Sequence, residues 1–92
     1  MMVKVEVKLF ANLKEAAGTD AIFLEFPSAP SIGDVLMEAV RRAPALKKFL
    51  LKGGEFNDRY KILVGQELVF KENFSRALEG TRVAILPPVS GG

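Results

Sequence analysis

The chain opens on a strict alternation that sharply limits how it can fold. Val3, Val5, Val7 and Leu9 are apolar, and Lys4, Glu6 and Lys8 between them are charged. Successive side chains of a strand point to opposite faces, so this run reads as a strand with one face in a core and the other in water. Such a strand belongs in a sheet covered on one side. A second run repeats the pattern, with Ile22, Leu24 and Phe26 on one face and Phe23 and Glu25 on the other. The short stretch between the two suggests an antiparallel hairpin. Within that stretch residues 12–17 read as a short helical turn, and Gly18-Thr19-Asp20 as a loop.

The cover for the sheet is also legible. Ser31, with Asp34 three residues on, is a helix-start signal. Ile32, Val35, Leu36, Ala39 and Val40 then recur at the spacing of one helix face, and Arg41 and Arg42 suit the C-terminal end of the dipole. Pro44 ends this helix, because the residue before a proline is pushed out of the helical region. It can also open a short second helix carrying Leu46, Phe49 and Leu50. Lys52-Gly53-Gly54 reads as the C-cap and turn of that helix, and residues 55–60 as a loop or irregular edge. Ile62-Leu63-Val64 reads as a buried strand, Gly65-Gln66 as a tight turn and residues 67–70 as its hairpin partner. After a turn at 78–81 comes a last strand, Arg82 to Leu86, with Val83 and Ile85 on one face and Ala84 and Leu86 on the other. The expectation is a single α+β domain over residues 1–92: a sheet with one main helix packed on one face, and a short second helix.

Composition excludes several kinds of chemistry. There is no cysteine and no histidine, which removes disulfides, thiol nucleophiles, imidazole bases and Cys/His metal sites. No metal site is expected. The carboxylates are scattered along polar faces and imply no acid/base pair. A net charge of +2, from 13 basic and 11 acidic residues, is too small to argue for nucleic acid. Lys47, Lys48 and Lys52 form the densest basic cluster and read as a solvated helix face. Lys52-Gly53-Gly54 is no phosphate loop, because a helix precedes it and no Lys-Ser or Lys-Thr follows. No run approaches the roughly 18 apolar residues of a membrane helix, and Lys4, Glu6 and Lys8 interrupt any signal-peptide pattern. A cytoplasmic protein acting on neither nucleic acid nor membrane is expected.

What remains is the end of the sequence, Leu86-Pro87-Pro88-Val89-Ser90-Gly91-Gly92. The prolines are stiff and extended and project residues 87–92 away from the strand before them. Beyond Val89 the side chains shrink to Ser and then to none, so the tail can thread a channel too narrow for a Cβ. Its one reactive group is the Gly92 carboxylate, a poor electrophile until it is activated, for instance as a mixed anhydride with a nucleotide.

Phe10-Ala11-Asn12-Leu13-Lys14-Glu15 after an alternating strand, and the closing stretch from Leu78 to Gly92, resemble the small subunit of molybdopterin synthase, in the ubiquitin-like sulfur-carrier family. The resemblance spans nearly the whole chain, and its specific part is Pro-Pro-Val-Ser-Gly-Gly. It implies a ubiquitin-like β-grasp fold with a mixed sheet. It also implies that an E1-like adenylyltransferase uses ATP to adenylate Gly92, that a sulfur donor protein converts the adenylate to a thiocarboxylate, and that the tail enters a large subunit in a heterotetramer of two small and two large chains. Sulfur then passes to a pterin precursor of the molybdenum or tungsten cofactor. Catalytic side chains would belong to the large subunit, and no cofactor to this chain.

If the first and last strands pair, as that fold implies, Phe10 and Leu86 share the face away from the core, and Leu68 joins them. An apolar patch at the root of a reactive tail reads as a partner interface. Three other readings share the sequence: a ubiquitin-like modifier joined to lysines through Gly92, a thiamine-type sulfur carrier, and an interaction domain with an inert tail.

Overall fold

A computed structural model describes residues 2–88. The opening alternation forms β1 (Val3–Leu9), and the chain then turns into α1 (Ala11–Ala17) before β2 (Ala21–Phe26). The long amphipathic run is α2 (Ile32–Arg42). A 3₁₀ turn (Pro44–Leu46) leads into α3 (Lys47–Leu50), followed by the short strands β3 (Leu51–Lys52) and β4 (Glu55–Phe56). The chain closes with β5 (Lys61–Val64), β6 (Glu67–Val69), a 3₁₀ turn (Lys71–Asn73) and β7 (Arg82–Leu86).

Five strands make one sheet in the order β2-β1-β7-β5-β6, and β3 and β4 pair separately. β1 and β7 run parallel and the other neighbours antiparallel, so the sheet is mixed. The alternation sorts its faces. Val5, Val7, Leu9, Leu24, Ile62, Val69, Val83 and Ile85 point inward and are buried. Against them lie Ile32, Val35, Leu36, Ala39 and Val40 of α2, with Leu13, Leu46 and Leu50. Each fully buried Val, Leu or Ile stabilises the fold by roughly 1.5–3 kcal/mol. α2 starts as its sequence predicts: Ser31 Oγ accepts from the Asp34 amide at 3.0 Å, and Asp34 Oδ2 accepts from the Ser31 amide at 3.2 Å. This reciprocal cap satisfies two donors that the first turn leaves open.

Three local readings change. β1 and β2 do pair antiparallel, and the helical turn expected over 12–17 is a full seven-residue helix, α1, that begins one residue earlier, at Ala11. Gly53 and Gly54 do not cap a helix. α3 ends at Leu50, and the two glycines, with φ of 61° and 84°, form the turn of the β3–β4 hairpin. Two consecutive positive φ values suit the tight hairpin turns that glycine favours. Residues 55 and 56, expected as part of a loop or irregular edge, are the second arm of that hairpin.

Candidate functional site

Because β1 and β7 are parallel, with Leu9 beside Ile85, both strands end at the same edge of the sheet. Pro87 and Pro88 follow Leu86 and are half-buried. Neither has an N–H, so neither can donate to the ladder with β1 or β5, and the strand stops there. Val89, Ser90, Gly91 and Gly92 lie outside the described residues.

Around this exit the fold gathers three other ends. β5 begins at Lys61, opposite Leu86. β1 runs out into Phe10, whose extended backbone (φ −134°, ψ 153°) precedes α1. Ala11 takes a left-handed φ of 52°, a conformation costing an L-residue roughly 1–2 kcal/mol, and so turns the chain sharply from strand into helix. Asn12 Nδ2 donates to the Tyr60 hydroxyl at 2.9 Å, tying the start of α1 to the residue before β5.

The outer face of the sheet carries the expected apolar residues. Phe10 is 39% exposed and Leu68 47%; Leu86 shares their face but is half-buried between β1 and β5. The register adds neighbours the sequence reading missed. Ala84 stands beside both Lys8 and Leu63, and Leu63 stands opposite Leu68. Phe70, one residue past the Val69–Ile62 pair, is 53% exposed. An apolar patch of Phe10, Leu63, Leu68, Phe70, Ala84 and Leu86 therefore lies at the root of the tail. Two signals pointed to it: Phe70 has the same parity as Leu68, and the outward Lys61 makes Leu63 outward too.

Among the described residues no three His, Cys, Asp or Glu side chains could hold a metal. The shifted titrations belong to exposed ion pairs: the Arg41 hydrogen bond lowers Glu38, and the Lys71 hydrogen bond lowers Glu55 while Glu55 raises Lys71. A broad groove runs past Pro27, Pro30, Met37, Arg41 and Pro44. It lies by the Val3–Phe26 end of the sheet, opposite the tail. Among the described residues the tail root is thus an apolar surface rather than a cleft.

A model of the ThiS family matches residues 7–92. The chain belongs to the ThiS family. This member is similar to small archaeal modifier protein 1 of Haloferax volcanii, with 34% identity over 89 residues that cover 96% of the chain and all of that relative. It is 28% identical to the molybdopterin synthase sulfur carrier subunit of Dictyostelium discoideum, over the full length of both. A crystal structure of SAMP1 from Haloferax volcanii superposes with a TM-score of 0.86 at 33% identity, covering 97% of this chain and 99% of that one. The fold is accordingly the ubiquitin-like β-grasp that the resemblance implied, with three helices of which α2 is the main one. Among the described residues no helix is long and apolar enough to cross a membrane.

Proposed function

We propose that this ThiS-family chain is a sulfur carrier whose working group is the Gly92 carboxylate. The observation that carries the reading is the end of β7: Leu86 stops at the edge of an apolar sheet face, and a Pro87-Pro88 spacer separates that face from Val89, Ser90, Gly91 and Gly92. An E1-like adenylyltransferase docks on the face through Phe10, Leu68 and Leu86 and receives the tail. The carboxylate attacks the α-phosphorus of ATP, pyrophosphate leaves, and the acyl carbon becomes electrophilic. A hydrosulfide equivalent from a donor protein attacks that carbon and expels AMP, leaving a thiocarboxylate. In a molybdopterin synthase the sulfur then goes to a pterin precursor within the large subunit, in an assembly of two small and two large chains. Water restores the carboxylate. ATP is consumed by the activating enzyme, and this chain binds no cofactor.

Tail-dependent pyrophosphate exchange tests the first step. Exchange should need a free Gly92, so that deleting Gly92 or adding one residue after it abolishes the signal; undiminished exchange by either variant would contradict the reading.

A second reading is favoured by the similarity to small archaeal modifier protein 1. On this reading a substrate lysine attacks the Gly92 adenylate and expels AMP, and the chain becomes a protein tag. Immunoblots showing high-mass conjugates that vanish on deletion of Gly91-Gly92 would support tagging.

A further inference from the structure

Charge on the outer face of the sheet is unevenly balanced, and the imbalance sits at the tail. At the far end of β1 opposite charges stand side by side: Lys4 is across from Glu25 in the register, and Glu6 pairs with Arg82 at 3.1 Å. Toward the tail the pattern stops. Lys8 has Ala21 on one side and Ala84 on the other. Lys61 stands opposite Leu86, and the nearest acceptor to its ammonium group is the Asp58 backbone carbonyl at 3.5 Å. Neither lysine has a carboxylate within ion-pair distance among the described residues, whereas Lys71, Arg76 and Arg82 each do.

An unpaired lysine in water costs the fold nothing. Position makes these two different, because they stand among the apolar residues rather than around them. Lys8 is half-buried beside Ala84, and Lys61 lies between Leu86 and Phe70. A partner that covers the patch must take both ammonium groups out of bulk water, and a buried cation without a counter-charge is strongly unfavourable. The covering surface therefore needs acids at those two points. Two cations set among six apolar side chains are few for tracking a phosphate backbone or an anionic bilayer, so a protein surface fits better.

We infer that the partner docked at the tail root presents carboxylates to Lys8 and Lys61, and that these lysines set the rate and selectivity of docking while the apolar patch holds the complex. The inference rests on the proposed function in taking the activating enzyme as that partner. Charge-complementary docking speeds encounter and weakens as salt screens it.

The test is pyrophosphate exchange by the activating enzyme purified from the same cell, measured against carrier concentration at about 0.05 M and about 0.5 M salt. The doubly reversed chain, Lys8→Glu with Lys61→Glu, should show KM raised about tenfold at low salt with kcat unchanged, the gap closing at high salt. Lys8→Arg with Lys61→Arg should restore KM, since the charge is kept. A KM for the reversed chain within about twofold of the parent, or a rise equal at both salts, would overturn the inference while leaving the carrier function standing. Salt-independent exchange, together with parent-only retention on phosphatidylserine vesicles or poly(U), would also overturn it by assigning the lysines to lipid or RNA. Absence of exchange by the parent chain would contradict the carrier function, and the inference with it.

Discussion

Residues of three kinds divide the work of this chain. Inward residues hold the fold: Leu24 is fully buried under α2, and Leu24→Ala should destabilise by about 3 kcal/mol, lowering Tm by roughly 15 °C in a thermal melt. Outward apolar residues form the proposed docking face. Phe10→Glu should leave Tm within about 2 °C, since the ring is exposed, yet weaken binding to the proposed partners, an activating enzyme and a large subunit; unchanged affinity in a pull-down would remove Phe10 from the interface. Turn glycines form the third kind. Gly54 has open space around its missing Cβ but a φ of 84°, so Gly54→Ala should cost about 1 kcal/mol from backbone strain alone, read in urea unfolding. Leu24 and Phe10 were legible in the sequence because alternation assigns each to a face. Gly54 was not, since glycine after a helix signals a cap and a hairpin turn equally well.

The elements show why some boundaries were readable and others were not. α2 has both a periodic face and a reciprocal cap, and Ser31→Ala should lower stability by about 1 kcal/mol in the same unfolding assay. β1, β2, β5 and β7 each carry alternation or a compact apolar run, so their existence could be read directly. α1 is different. Its seven residues bury one large apolar side chain, Leu13, and its start depends on the left-handed Ala11 and on Asn12 reaching Tyr60 across 48 positions. The helical turn over 12–17 was legible, but long-range contacts of that sort leave no trace of where the helix starts. The β3–β4 hairpin leaves no sequence pattern for a related reason: two-residue arms are too short to alternate. The outer patch was legible in part. Parity gave Phe10, Leu68 and Leu86, while Leu63 looked like one more core residue until β6 was seen beside it.

The whole molecule is a covered sheet with one bare face and one exit, a plan that sets its pH behaviour as well as its chemistry. Glu38 and Glu55 titrate below their usual 4.5 because Arg41 and Lys71 hold them, so the stability they add is present above that value and lost as pH falls through the lowered one. Lys71 titrates above 10.5, so its share is present below that value and fades as pH rises through the raised one. The chain has no histidine or cysteine to titrate between these windows. Tm should therefore stay within about 2 °C from about pH 6 to about pH 8.5, and a bell-shaped exchange profile in that range would report the partner enzyme's groups. The central claim concerns one backbone carboxylate. Intact mass spectrometry of the protein isolated from its native cell tests it most directly. Replacing the terminal OH by SH should add about 16 Da, and fragmentation should place that mass on Gly92, because methionine oxidation adds nearly the same amount elsewhere. A thiocarboxylate at Gly92 is the predicted result. An unaltered carboxylate in actively growing cells, or the added mass found solely on methionine, would contradict it.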